Sequence, residues 1–242
     1  MIVVDSKENH SRKIARNIAD EILLRQKLNK NIVLGLATGS TPIFLYTELV
    51  RLHIEEQLSF KNVITFNLDE YCGLCTENDK SYYHFMHKYL FNHIDIPSEN
   101  IFIPSGQVEQ LFLKDYCEGY EHQIQKLGGI DIQILGIGRS GHIGFNEPGS
   151  EIDSVTRQVK LHEITRNDAS GDFDGLENTP THAITMGMQT IMDAKKIFFM
   201  AFGESKKEIT KKAFFGEITD AVPASHLQKH KHKTICIDFN IK

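Results

Sequence analysis

The chain has 242 residues, of which 40% are apolar and 24% charged, and its net charge at pH 7 is -5. This length fits one large domain or two small ones, and the acidic balance argues against nucleic acid and anionic membranes as partners, because both are bound through clustered Lys and Arg. No apolar run approaches the ~20 residues of a membrane span, and the amino-terminal stretch does not resemble a secretory signal. We therefore expect a cytoplasmic protein.

Short β-branched runs alternate along the chain with longer stretches of helical period. The first helix is predicted to begin after Asp5, a suitable cap, and to bury an apolar stripe from Ile14 to Leu23. Strands are predicted at residues 1–4, 31–37, 62–70, 130–138, 195–203 and 233–239, and further helices at 41–53, 81–93, 109–127, 186–193 and 205–215. This alternation predicts an α/β fold, with an open and mostly parallel sheet covered by helices on both faces.

Ligands of open α/β sheets bind beyond the carboxyl ends of the strands. Four segments of chemical interest follow predicted strands, at residues 37–42, 68–71, 136–148 and 203–207. A further polar segment, residues 162–182, is long for a simple connection, and it is either a lid or a plain surface excursion.

The first of these segments, "ATGSTP" at residues 37–42, joins a strand to a helix. Gly39 permits close approach of a ligand, Ser40 and Thr41 offer hydroxyls, and the helix start offers free amides, so the turn suits a phosphate. The same residue types would also cap the helix without any ligand. Lys206, in the last segment, is either the point charge that completes a phosphate site or a solvated lysine.

Asp69 and Glu70 stand together at the end of the third predicted strand. A carboxylate in a partly desolvated pocket can have a raised pKa and act as a base. Adjacent carboxylates also commonly cap a helix, and either residue suits that role.

The segment "GIGRSGHIGFNEP" has the spacing G-x-G-x-x-G from Gly136 to Gly141, as in a dinucleotide-binding turn. That turn normally joins the first strand of its unit to a helix, whereas this one follows a later strand and Pro148 prevents an ordinary long helix. A second interpretation fits better: the glycines bring the backbone close to a ligand and present His142 and Glu147 to it as a general acid/base pair.

The cysteines and the carboxy-terminal histidines have bland interpretations. Cys72 and Cys75 form a lone C-x-x-C without a second ligand pair, and they are expected to be free thiols in a loop. His226, His230 and His232 lie in a basic stretch that we interpret as a surface helix end, with a metal site as the lesser alternative.

Five segments occur in order along nearly the whole chain: "LGLATGSTP", "FNLDEYCGL", "SYYHFMHKYLF", "GIGRSGHIGFNEPG" and "ITMGMQTIMDAKK". Together they resemble glucosamine-6-phosphate deaminases, which belong with the amino-sugar-phosphate isomerases and 6-phosphogluconolactonases. The run "GHIGFNEPG" is the most specific, because lactonases share its Gly-His but typically continue differently. The resemblance implies a modified Rossmann-like fold, a single domain over residues 1–242 with a lid at about 162–182, and a reaction that needs neither cofactor nor metal.

The resemblance also implies a reaction and roles for the site residues. Glucosamine 6-phosphate, a small-molecule amino-sugar phosphate, would become fructose 6-phosphate and ammonia. Asp69 would move a proton between C2 and C1, and His142 would open the sugar ring with support from Glu147. The phosphate group would be held by Thr38, Gly39, Ser40, Thr41 and Lys206.

Two positions depart from the family pattern. Ser140 stands where many members have Asp or Asn before the catalytic His; it can form a hydrogen bond but lacks the charge of Asp. Gly171 stands where many glucosamine-6-phosphate enzymes have a phosphate-binding Arg, for which Arg157 or Arg166 would have to substitute. Galactosamine-6-phosphate enzymes also depart from the pattern here, so that epimer, giving tagatose 6-phosphate, is the close alternative.

Two other functions stay open as alternatives. A 6-phosphogluconolactonase would hydrolyse its substrate without proton transfer at C2, and a sugar-phosphate sensor would bind without catalysis. A sensor that regulates transcription should carry a DNA-reading helix and a basic face, and the sequence gives no sign of either. The sequence leaves the oligomeric state open.

Overall fold

A seven-stranded parallel sheet forms the centre of the molecule. The computed structural model describes residues 1–241. Their strands are β1 (Ile2–Val4), β2 (Ile32–Leu36), β3 (Val63–Asn67), β4 (Asp69–Tyr71), β5 (Ile101–Phe102), β6 (Ile132–Leu135), β7 (Arg157–Lys160), β8 (His182–Thr185), β9 (Lys196–Ala201) and β10 (Lys233–Ile237). The large sheet has the order β1-β10-β9-β6-β2-β3-β5, and every neighbouring pair in it is parallel, which confirms the predicted sheet.

Helices cover both faces of this sheet because its strands are apolar on both. The helices of residues 1–241 are α1 (Lys7–Lys27), α2 (Ile43–Glu56), α3 (Tyr82–Tyr89), α4 (Leu113–Lys126), α5 (Glu163–Ala169), α6 (Met188–Met192) and α7 (Lys207–Phe215). Ile18 of α1 and Leu49 of α2 pack with Leu34 on one face, and Ile124 of α4 and Phe214 of α7 belong to the core of the other. Full burial of one such side chain contributes about 1.5–3 kcal/mol to the stability of the folded state. The helices on the two faces therefore fix the positions of the strands and of their ends.

A smaller antiparallel sheet, of order β4-β8-β7, begins where β3 ends. The single strand predicted at residues 62–70 is wrong, because the chain changes sheets at Leu68. The Leu68 N–H donates to the Leu36 carbonyl at 3.0 Å, while the Leu68 carbonyl accepts from the Met186 N–H at 2.6 Å. Asp69 therefore pairs with β8 instead of extending the large sheet. The short strands β5, β7 and β8 were not predicted from the sequence.

The start of α1 differs in detail from the sequence prediction. Ser6, not Asp5, is the cap, since its Oγ accepts the Asn9 N–H at 3.2 Å. Asp5 instead accepts a hydrogen bond from Lys13 at 2.6 Å. Leu23 does not join the buried stripe, because it lies a further ~100° around the helix from the buried Ile22 and is 42% exposed. None of the helices within residues 1–241 combines the length and apolarity needed to cross a membrane.

The polar segment 162–182 folds into α5 and a short 3-10 turn at Ser170–Phe173. Phe173 is buried against Tyr71, with the ring centroids 5.3 Å apart and the rings edge to face. Asp168, near the carboxyl end of α5, binds the Arg139 guanidinium at 2.7 Å, which ties α5 to the loop after β6. The segment is thus packed against the carboxyl-end loops, and its opening and closing as a lid stays a prediction.

Candidate active site

A cavity of about 240 Å³ lies where β2, β3 and β6 end. These three strands are neighbours in the parallel sheet, so their carboxyl ends meet at one edge. The lining residues come mainly from the segments that follow predicted strands: Ala37, Thr38, Gly39, Ser40, Thr41, Leu68, Asp69, Tyr82, Gly136, Ile137, Gly138, His142, Gly144, Phe145 and Lys206. The cavity therefore gathers seven of the nine predicted site residues and leaves out Ser140 and Glu147.

The adjacent carboxylates have opposite roles. Glu70 accepts the backbone N–H groups of Tyr71, Tyr82 and Tyr83, each at 2.9 Å, and so binds the free amides at the start of α3. Asp69 lines the cavity instead. The sequence left open which of the two binds a helix start, and that role falls to Glu70, which binds the first amides of α3 together with the N-cap residue Ser81.

Asp69 is buried, and burial raises its pKa from 3.8 to about 8, with a smaller contribution from the charge of Glu70. Gly144 lies against the Asp69 carboxylate, and because it has no side chain it leaves that carboxylate accessible from the cavity. A Cβ atom at Gly144 would lie 3.1 Å from Asp69 Oδ2 and 3.0 Å from Thr185 Oγ1, and the residue has φ +57°. A raised pKa means that the carboxylate binds a proton readily, which is the property a proton-transferring base needs.

His142, in the loop after β6, lines the same cavity as Asp69, and its Nδ1 lies 2.9 Å from Ser140 Oγ. The pKa of the His142 imidazole is lowered to about 4, mainly by burial and to a smaller extent by the charge of Lys206, while the charge of Asp168 opposes the shift. The ring is therefore neutral near pH 7, with one nitrogen able to accept a proton. Ser140 contacts the ring but does not line the cavity.

Two glycines of the loop after β6, Gly138 and Gly141, make room for the His142 side chain and for the local backbone turn. A Cβ atom at Gly138 would lie only 1.9 Å from His142 Nε2, so the imidazole occupies space that a side chain would fill. Gly141 has φ +84°, a backbone conformation that favours glycine. No helix follows these glycines before α5 begins at Glu163, so the dinucleotide-binding interpretation lacks the helix that it requires.

Glu147 has a different partner from the one expected. Its Oε2 accepts the backbone N–H of His162 at 2.6 Å, at the start of the 162–182 segment. The His142 nitrogen that a supporting carboxylate would contact is occupied by Ser140. The expected carboxylate–imidazole pair of His142 and Glu147 is thus not formed here, because the backbone turns Glu147 toward the polar segment.

The 38–41 turn forms the other end of the cavity. Gly39 has φ +91°, and α2 begins at Ile43 without a side-chain cap, so the first amides of the helix are free of an intrahelical or side-chain partner. Lys206 closes this end: its Nζ donates to the Ile137 carbonyl at 2.9 Å, and burial lowers its pKa. Free amides, a helix amino terminus and an ammonium group are an arrangement that suits a phosphate.

Neither arginine considered as a substitute at the Gly171 position reaches this cavity. Arg166 donates to the backbone carbonyls of Leu176 and Thr179, at 2.8 and 3.0 Å, and thereby holds the 162–182 segment together. Arg157 donates to Asn146 Oδ1 at 2.9 Å. Both guanidinium groups serve the fold.

Tyr82 and Phe145 line the cavity but were not predicted as site residues. Both lie inside the motifs "SYYHFMHKYLF" and "GIGRSGHIGFNEPG", so the motifs indicated the segments without distinguishing these positions. Tyr82 is stacked with Phe145 at 6.0 Å between ring centroids. Their aromatic faces give the cavity an apolar wall beside Asp69.

The remaining clusters named from the sequence are structural. Cys72 and Cys75 are free thiols, and Cys72 Sγ accepts a hydrogen bond from Gln158. His226 Nε2 contacts Asp220 at 2.6 Å, and the buried His230 bonds to a backbone carbonyl. Residues 1–241 contain no group of three or more His, Cys, Asp or Glu side chains placed to hold a metal ion.

Comparison with known proteins agrees with this geometry. A family model described as glucosamine-6-phosphate isomerases/6-phosphogluconolactonase matches residues 5–236. The chain belongs to that family. A curated family relative, the glucosamine-6-phosphate deaminase of Oceanobacillus iheyensis, is 50% identical over 213 residues, which are 88% of this chain and 84% of that protein.

Other relatives extend the comparison. A glucosamine-6-phosphate deaminase-like protein of Bacteroides thetaiotaomicron is 43% identical over 238 residues, 98% of this chain, but the chain spans only 36% of the length of that protein. A solved structure of a monomeric glucosamine-6-phosphate deaminase has a TM-score of 0.91 and 43% identity, and the match covers 98% of this chain and 95% of that one. This likeness confirms the predicted fold class.

Proposed function

We propose that this family member is a glucosamine-6-phosphate deaminase, which converts glucosamine 6-phosphate and water into fructose 6-phosphate and ammonia. One observation carries the proposal: a buried carboxylate left free by its neighbour, Asp69, shares with a neutral imidazole, His142, a cavity that ends in a phosphate-type turn. The names and identities of the relatives support the same activity.

Binding begins at the phosphate end. The substrate phosphate would accept hydrogen bonds from the 38–41 turn and the amides at the start of α2, and Lys206 would supply a positive charge. These groups lie away from the reacting carbons. Their binding energy can therefore hold C1 and C2 beside Asp69 while contributing nothing to the chemistry itself.

Ring opening is the role proposed for His142. As a neutral imidazole it accepts the proton of the anomeric hydroxyl and returns a proton to the ring oxygen, so that the C1–O5 bond breaks and an open-chain aldehyde forms. Ser140 would hold the ring in place through Nδ1. Glu147 would not contact the His142 ring. Its carboxylate accepts the His162 N–H and would act by holding the start of the 162–182 segment in place.

Isomerisation and loss of ammonia follow. Ionised Asp69 removes the proton from C2, the C–H electron pair forms a C1=C2 double bond, and the C1=O π pair moves to O1, which takes up a proton from the substrate's ammonium group. The same carboxyl then returns its proton to C1, while the nitrogen lone pair forms the C2=N bond. Water hydrolyses this imine to the ketone and ammonia. One carboxyl with a pKa of about 8 suits both directions of this transfer, since it gives and takes a proton near neutral pH.

The proposal is tested by measuring ammonia release and ketose formation from glucosamine 6-phosphate, with galactosamine 6-phosphate and 6-phosphogluconolactone in parallel. We expect turnover of the gluco epimer, and no ammonia release by the Asp69→Asn variant. Preference for the galacto epimer would mean that Gly171 marks a change of substrate. Hydrolysis of the lactone alone, or silence on all three compounds, would overturn the proposal.

A further inference from the structure

Lys7, the first residue of α1, contacts the 38–41 turn without lining the cavity. Its Nζ donates to the backbone carbonyl of Ser40 at 3.0 Å and lies 4.9 Å from the centre of the Phe44 ring. The side chain is partly buried, unlike most surface lysines. It thus joins the start of α1 to the 38–41 turn. Lys7 lies outside the sequence motifs and has no role in the mechanism proposed above.

The hydrogen bond from Lys7 fixes the orientation of the peptide between Ser40 and Thr41. In a trans peptide the C=O and N–H point in opposite directions, and residues 1–241 contain no cis peptide bond. The Ser40 carbonyl points to Lys7, which does not line the cavity, so the Thr41 N–H points away from Lys7; we infer that it points toward the cavity, which Thr41 lines. Within residues 1–241, the Thr41 N–H has no hydrogen-bond acceptor.

The charge of Lys7 is also available to the turn. Its ammonium has no carboxylate within 4.0 Å among the described residues, whereas Lys13 on the same helix pairs with Asp5 at 2.6 Å. The Ser40 contact uses one of its three N–H donors. An unpaired ammonium beside the turn raises the local positive potential, as Lys206 does on the other side.

We propose that Lys7 is a positioning residue of the phosphate site, which turns the Thr41 amide toward the phosphate by holding the Ser40 carbonyl, and adds its positive charge to that of Lys206. The inference deepens the proposed function, because the phosphate is taken to be that of the amino-sugar substrate. The site as such would bind any phosphate monoester or inorganic phosphate.

Five proteins test it: the wild type, Lys7→Met, Lys7→Gln, Lys7→Arg, and the matched control Lys27→Met, which removes a charge from the exposed far end of α1. Two quantities are measured, the Kd of inorganic phosphate by calorimetry, and KM and kcat with glucosamine 6-phosphate. Melting temperatures establish that each variant is folded.

We expect Lys7→Met to raise the phosphate Kd and the KM about tenfold, as loss of one charge-assisted hydrogen bond does, with kcat changed less than about twofold. Lys7→Arg should restore most of the affinity, and Lys7→Gln, which keeps a donor without the charge, should fall between. A merely structural role would lower the melting temperature or kcat and leave this KM-specific pattern absent.

The outcomes separate this inference from the proposed function. A phosphate Kd for Lys7→Met equal to that for Lys27→Met would overturn the inference, whether or not the wild type releases ammonia. Lys7-dependent phosphate binding by a protein that turns over no amino sugar would support the inference and refute the proposed function. Absence of phosphate binding together with absence of turnover would overturn both.

Discussion

The proposed reacting end of the cavity, with Asp69 and His142, is made of side chains, whereas the proposed phosphate end, with the 38–41 turn, is made mainly of backbone. At the reacting end, burial shifts the pKa of Asp69 upward and that of His142 downward, each toward the form that has no charge. At the phosphate end, the 38–41 turn and the uncapped start of α2 offer amides, and Lys206 adds a charge. The first end should control kcat and the second KM.

The largest effect is expected at the reacting end. Asp69→Asn should lower kcat for ammonia release by roughly 10³-fold, since it removes the proton carrier and keeps the shape of the side chain. KM should change little, because the phosphate contacts remain. Steady-state kinetics with glucosamine 6-phosphate measure both constants. A variant that keeps more than a tenth of the wild-type kcat would show that another group moves the C2 proton.

At the phosphate end, Lys206→Met should raise KM about 10- to 100-fold while kcat falls much less, because the lost interaction is made equally in the ground state and the transition state. Lys207→Met is the matched control, since Lys207 pairs with Glu204 at 2.7 Å. If Lys206→Met lowered kcat by as large a factor as it raised KM, the division between the two ends would be contradicted.

The stability of the fold should depend on pH through Asp69. Between pH 4 and pH 8, the folded protein keeps a proton on Asp69, whose pKa is about 8, that the unfolded chain has lost. Stability from this group is therefore lost as pH rises through that range. Asp69→Asn should melt several degrees above the wild type at pH 8.5 and near it at pH 5.

Glu70→Gln is the control for this effect: it weakens the contacts with three backbone amides, and since burial raises the pKa of Glu70 only to about 6, its melting temperature relative to the wild type should change with pH much less than that of Asp69→Asn. Thermal unfolding followed by circular dichroism is the measurement. Equal melting temperatures of Asp69→Asn and the wild type at pH 8.5 would contradict the raised pKa of Asp69.

The smallest effect is expected at Ser140. Ser140→Ala removes the hydroxyl that contacts His142 Nδ1, and kcat should fall about 3- to 10-fold with KM unchanged, as for one neutral hydrogen bond. Ser140→Asn, which can keep that contact, should retain most of the activity. If Ser140→Ala and the wild type have the same kcat and the same pH profile, Ser140 does not position the ring.

Much of this site was predictable because its residues follow strands of a parallel sheet, whose ends meet at one edge. The sequence could not separate Asp69 from Glu70. That choice depends on the α3 amides of Tyr82 and Tyr83, which reach Glu70 only through the fold. Glu147 was misplaced for the same reason, since its partner is a backbone N–H, which has no residue-specific pattern.

The fold was predictable where apolar runs are long and buried on both faces, as in β2 and β9. The small sheet was missed because β7, of sequence RQVK, is mostly polar and only partly buried, and β8, of sequence HAIT, has only two apolar residues in succession, so neither forms an apolar run. The contact of Lys7 with the 38–41 turn could not be predicted from the sequence for another reason. Its partner lies 33 residues away and is a carbonyl, so the contact depends on how α1 packs beside the turn.

The most direct test of the central claim separates ring opening from proton transfer. The rate of exchange between the α and β anomers of glucosamine 6-phosphate, measured by NMR with Asp69→Asn, reports ring opening alone. The account predicts that Asp69→Asn accelerates anomer exchange without releasing ammonia. It predicts that His142→Gln neither accelerates anomer exchange nor releases ammonia. Asp69→Asn that leaves anomer exchange at the uncatalysed rate, or His142→Gln that accelerates it like the wild type, would contradict the assignment of the two steps to two residues.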